Sequence, residues 1–112
     1  NNLKLFVTNA FGLKSKFGEL QHCLQSTQPD LAVVTETKLT ADKMSLAECT
    51  IPGYAAPIRC DRTGQGGGIA VWVKSDLCFR HLDSIDCKGF EVIWLLLEKS
   101  SHGKIIVCAV YR

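Results

Sequence analysis

The sequence predicts a mixed α/β chain that opens as a β-α-β unit and continues as a mostly antiparallel sheet. A segment of helical period sits between two apolar runs within the first 38 residues. Beyond it, apolar runs are parted by breaks of a few residues, which favour antiparallel neighbours over further crossovers. A hydrophobic content of 46% with 21% charged residues belongs to a chain with a packed core, not to a disordered one.

The elements follow in order. Leu3-Lys4-Leu5-Phe6-Val7 alternates and then turns apolar, giving a strand that ends at Thr8-Asn9. Phe11-Gly12-Leu13 forms a turn. From Lys14 or Ser15 to Gln25, Phe17, Leu20, Cys23 and Leu24 share one helical face, and Ser15 or its neighbour serves as N-cap. Gln28-Pro29-Asp30 ends the helix. Leu31 to Val34 is a continuously apolar strand leading to Thr35-Glu36-Thr37-Lys38, so the first two strands form a parallel pair buried on both faces. Leu39 to Thr50 holds a short helix or an irregular loop, and Ile51-Pro52-Gly53-Tyr54 is a turn. Further strands are expected over Ala56–Cys60, Gly68–Lys74, Leu77–Leu82, Phe90–Lys99 and Lys104–Tyr111.

A chain of 12.3 kDa folds to roughly 6,100 Å² of surface against roughly 17,800 Å² unfolded, enough burial for one core and too little for two domains. No apolar run approaches the roughly 20 residues of a membrane-spanning helix. The N-terminus has no basic leader feeding an apolar core. With 13 basic and 11 acidic side chains the net charge is +2, compatible with a polyanionic partner but short of a strongly basic nucleic-acid binder. The six cysteines (Cys23, Cys49, Cys60, Cys78, Cys87 and Cys108) never fall at C-x-x-C spacing, which argues against a zinc site. They read as reduced, buried thiols in an intracellular compartment.

Three places could carry chemistry. Asn9 and Glu36 lie just past the carboxyl ends of neighbouring parallel strands, where open α/β sheets place their ligands. An amide oxygen and a carboxylate are hard donors suited to Mg²⁺ or Mn²⁺; as residues at strand ends they also serve as caps or turns. The run Asp61-Arg62-Thr63-Gly64-Gln65-Gly66-Gly67-Gly68 can bring backbone amides near a phosphate, or make a tight connection between strands. It lacks the lysine, hydroxyl and helix of a P-loop. Arg62 is a candidate phosphate fork or a solvated loop charge. Tyr111 ends an apolar strand and places its hydroxyl at the rim, where it can donate to an anionic oxygen. His22 on the helix, His81 in a strand and His102 in a turn have no partner constellation.

These pieces occur in a familiar order: Thr8 to Leu13, Gln28 to Leu39, Ile51-Pro52-Gly53-Tyr54, Arg62 with Gly66-Gly67-Gly68-Ile69-Ala70-Val71, and Val110-Tyr111-Arg112. The chain resembles the endonuclease/exonuclease/phosphatase superfamily, which includes deoxyribonuclease I, exonuclease III and apurinic/apyrimidinic endonucleases. Within it the triple glycine and the Tyr-Arg ending look most like the endonuclease domain of non-LTR (LINE-type) retrotransposons. The resemblance runs over essentially all 112 residues.

The resemblance implies a four-layer α/β sandwich, of which residues 1–112 would be the N-terminal half. It implies that Asn9 arranges the metal and active-site network, that Glu36 ligates the divalent metal, and that Tyr111 touches the scissile phosphate. Arg62 and Lys38 match positions that present basic side chains to DNA. The implied activity is Mg²⁺- or Mn²⁺-assisted nicking of DNA, with a reverse transcriptase domain downstream in a parent polyprotein, a nuclear location and no membrane. The family's Gly-Asp-x-Asn and Ser-Asp-His segments occur nowhere in the sequence. The chain is therefore expected to be a fragment, inactive alone for want of a base. A lipid or inositol phosphate phosphatase of the same fold, a non-catalytic DNA-binding module and an unstable remnant are the alternatives.

Overall fold

A computed structural model describes residues 3–62, 66–82, 91–99 and 103–111. Expectations for Asn1-Asn2, Thr63 to Gln65, the break from Asp83 to Gly89 with Cys87, Phe90, Ser100 to His102 and Arg112 lie outside them. The chain forms β1 (Leu5–Asn9), α1 (Phe17–Thr27), β2 (Leu31–Thr35), β3 (Ile58–Cys60), β4 (Ile69–Val73), β5 (Cys78–His81), β6 (Glu91–Lys99) and β7 (Gly103–Tyr111). Short 3-10 turns occupy Lys14–Lys16 and Ala47–Cys49, and the rest of Leu39 to Thr50 is irregular.

The strands make two sheets, one ordered β1-β2-β4-β3 and the other β5-β6-β7. β1 and β2 are parallel, with Leu5 opposite Leu31 and Asn9 opposite Thr35; every other pairing between strands is antiparallel. The parallel pair follows from the α1 crossover, and the antiparallel meander from the short breaks.

Alternation along β2 and β4 divides the core in two. Ala32, Val34, Ala70 and Trp72 pack under α1 and the loop that follows β2, against Leu20, Leu24, Leu39 and Ile51. Leu31, Val33, Ile69, Val71 and Val73 face the second sheet, meeting Ile93, Leu95, Leu97 and Ala109. Each leucine buried this way contributes roughly 1.5–3 kcal/mol. Among the described residues, three layers therefore stack in the order helix and loop, first sheet, second sheet. The outer face of the second sheet carries Val92, Trp94 and Leu96 half-buried, with Ile106 and Val110 more than half exposed.

Two local expectations are corrected. The α-helix starts at Phe17 and not at Lys14 or Ser15, which lie in the 3-10 turn, and Ser15's neighbour Lys16 occupies the cap position without a side-chain capping bond. The preceding loop is tied by Gly12 and Leu13 amides to the carbonyls of Glu36 and Thr37, which fixes a tight entry to the helix. The cysteines are not uniformly buried either. Cys49 is buried and Cys23 and Cys60 are half-buried, but Cys78 and Cys108 are exposed. Both fall on the outward register of β5 and β7, the edge strands of the second sheet. No helix among the described residues is long and apolar enough to cross a membrane.

Candidate active site at the seam between the sheets

The loop after β2 is held from two sides. Gly12 and Leu13 amides donate to the Glu36 and Thr37 carbonyls at 2.8 Å, while Thr37 and Lys38 amides donate to the Gly68 and Gly67 carbonyls at 3.3 and 2.8 Å. Within this clamp Glu36 and Lys38 both adopt φ = 55°, a left-handed conformation that non-glycine residues rarely take. Strain of this kind persists only where the surroundings over-determine it, and it concentrates at functional sites. The glycines make the clamp possible. Gly67 and Gly68 have φ of 65° and 96°, and a Cβ at Gly68 would come inside 3.0 Å of the Thr37 hydroxyl.

The clamped loop turns Glu36 toward the second sheet. The Tyr111 hydroxyl donates to Glu36 Oε1 in a short hydrogen bond across the seam. That bond, aided by the Gly67 amide, Lys38 and Arg62, holds the Glu36 carboxyl below the usual carboxylate range despite its partial burial. The same bond, with burial and the Glu36 charge, raises the Tyr111 hydroxyl above its ordinary value. Glu36 is thus an ionised carboxylate beside a phenol that keeps its proton.

Glu91 completes the group. It pairs with Tyr111 across β6 and β7. Its Oε1 accepts the Gly68 amide at 2.6 Å, and its Oε2 accepts Arg62 Nε at 3.0 Å. Two of the three glycine amides thus face protein carboxylates, Gly67 toward Glu36 and Gly68 toward Glu91. Sequence reasoning missed Glu91. The signal was its phase: along β6 it shares the inward register of Ile93, Leu95 and Leu97.

Of the candidates named from sequence, Glu36, Tyr111, Arg62 and Lys38 come together here. Asn9 sits on the neighbouring strand tip, opposite Thr35, and its Oδ1 accepts the Phe11 amide at 3.2 Å, closing its own turn. It makes no hydrogen bond to Glu36. Beside the group, a hollow of about 600 Å³ is lined by Lys14, Lys38 and Lys43 together with Gly12 and Thr37.

The donor set fits a hard divalent cation in part. Glu36 supplies an ionised, solvent-reachable carboxylate, and the Asn9 carbonyl keeps one lone pair beyond its turn bond. No cluster of three or more acidic, cysteine or histidine side chains able to hold a metal occurs among the described residues. A cation here would complete its shell with water or substrate oxygens.

No protein-family model matches the chain, and no curated protein sequence does. Solved structures do. An AP endonuclease from Leishmania major superposes with a TM-score of 0.73 at 20% identity, covering 96% of this chain. A 3′–5′ exonuclease (NExo) from Neisseria meningitidis gives 0.65 at 22%, and an AP endonuclease from Archaeoglobus fulgidus 0.63 at 19%. The fold is thus that of part of such a domain, for the chain spans only 39% to 41% of the length of these structures.

Proposed function

We propose that this chain carries part of the active site of a metal-dependent DNA endonuclease, of the kind encoded by non-LTR retrotransposons upstream of a reverse transcriptase and working in the nucleus. The observation that carries the reading is the Glu36–Tyr111 hydrogen bond, because it joins the proposed metal ligand and the proposed phosphate contact from opposite sheets.

Glu36, with Asn9 beside it, would hold Mg²⁺ or Mn²⁺, which neutralises charge developing on the phosphate. Tyr111 keeps its single proton at neutral pH and gives it to Glu36 here; its hydroxyl would turn to a non-bridging phosphate oxygen when a cation takes that carboxylate. Arg62 and Lys38 supply positive charge to the flanking backbone, and Lys14 and Lys43 extend it along the neighbouring hollow.

Charge bookkeeping adds a condition. Glu36 and Glu91 offset Arg62 and Lys38, so the group has no net charge until a cation arrives. Anion binding at this spot is therefore expected to require the divalent ion, unlike binding by a simple basic patch. Proton removal from water falls to residues of the kind found in the Gly-Asp-x-Asn and Ser-Asp-His segments, and the chain alone is expected not to cleave.

The test is nicking of supercoiled plasmid with MgCl₂ by this chain and by a longer protein that joins it to those two segments. The long form should nick, the short form should not, and Glu36→Ala should cost the long form about 100-fold or more. Nicking that survives Glu36→Ala unchanged sinks the assignment.

A further inference from the structure

We propose that Glu91 is a positioning residue, whose carboxylate fixes Arg62 in the pose that meets a phosphodiester beside Tyr111. The proposal rests on the DNA-cleaving reading above and adds to it a residue that the resemblance does not assign.

Four observations converge. The Glu91 side chain is only 13% exposed while that of Arg62 is 42% exposed, so the acid is the fixed partner and the base the presented one. Glu91 is itself anchored, by the Gly68 amide at 2.6 Å and by its place opposite Tyr111 on the paired strand. The contact with Glu91 uses Arg62 Nε, and among the described residues neither Nη group meets an acceptor. A guanidinium gripped at Nε keeps its outer fork for a second anion, which suits the two non-bridging oxygens of a phosphodiester. Finally, the charge of Arg62 bears on both Glu36 and Tyr111, which places it at the candidate cleavage point.

Pre-arranging a long side chain lowers the ordering cost of binding, since a free arginine gives up considerable rotamer freedom when it docks. The alternative is that Glu91 only braces the glycine loop, or only repels DNA as a stray negative charge. These roles differ in sign and in coupling. A stray charge predicts tighter DNA binding when it is neutralised. A brace predicts no change in Glu91→Gln, because the glutamine carbonyl still accepts the Gly68 amide.

The experiment is a double-mutant cycle on the 112-residue chain, measuring affinity for a short DNA duplex in MgCl₂ across a salt series. Arg62→Ala should weaken binding about tenfold and lower the salt slope by about 0.9. Glu91→Gln should weaken it about threefold in the native background and leave it unchanged in Arg62→Ala. Equal effects in both backgrounds, or a gain in affinity, would overturn the role of Glu91 while leaving the DNA reading intact. If neither Arg62→Ala nor Glu36→Ala changes binding, the DNA reading falls and this proposal with it. A second measurement needs no variant: the Arg62 Nε–H NMR signal should exchange slowly with water, and fast exchange refutes the grip.

Discussion

Replacing Gly68 by alanine tests the clamp that shapes the site. At φ = 96° an L-residue is strained, at a cost of roughly 1–3 kcal/mol. The new methyl would also fall inside 3.0 Å of Thr37 Oγ1. Thr37 is 1% exposed and β-branched, so its hydroxyl has few other rotamers to adopt. Turning it away gives up its bond to the Leu39 amide, worth about 1 kcal/mol. The expected total is about 2–4 kcal/mol, which at roughly 4 °C per kcal/mol lowers the melting temperature by about 8–16 °C. Urea and thermal unfolding followed by circular dichroism measure it. Thr37→Ala should cost about 1 kcal/mol in the native chain, by removing the bond to the Leu39 amide, and almost nothing further in Gly68→Ala, where that bond is already lost. A Gly68→Ala chain melting within a degree or two of the native one would show that the loop is not clamped as described.

Further perturbations probe single contacts. Tyr111→Phe removes the strongest influence lowering the Glu36 carboxyl, so NMR titration should find that group losing its proton at a higher pH than in the native chain. Trp72→Phe deletes the 2.9 Å bond from the buried indole to the Cys49 carbonyl and should cost about 2 kcal/mol in urea unfolding. Asp30 is opposed by burial, but the Lys4 amide and Lys99 outweigh it and hold its carboxyl below the ordinary 3.8. Its contribution is therefore complete above pH 3.8 and lost as pH falls through the lower folded value. Stability measured from neutral to acid pH should fall less steeply in Asp30→Asn.

Much of this architecture was legible because local patterns and burial coincide. The parallel start was readable in the unbroken run from Leu31 to Val34, which is buried on both faces. The late strands were readable from their lengths and breaks. The outward faces of β5 and β7 were not. Cys78 and Cys108 sit in apolar surroundings along the chain, yet whether a strand face is covered depends on which layer lies over it, and sequence alone does not record that. At the site, Glu36, Tyr111, Arg62 and Lys38 were nameable because each closes or follows a recognisable segment. Glu91 was hidden because its partners, Gly68 and Arg62, are more than 20 residues away and reach it only when the sheets dock. Asn9 was nameable as well, and of its two readings the structure shows the turn: its amide oxygen meets the backbone two residues on, a contact that any asparagine at a strand end can make.

The bonds from Tyr111 to Glu36 and from Glu91 to Gly68 and Arg62 all run from one sheet to the other. Assembly of the candidate site and docking of the two sheets are accordingly a single event. Anything that loosens the meander would scatter these side chains before the β-α-β portion unravels, so loss of ligand affinity should precede loss of helical signal on heating. Conversely, an occupant held by both halves acts as a rivet, and the stabilisation it confers grows with its concentration.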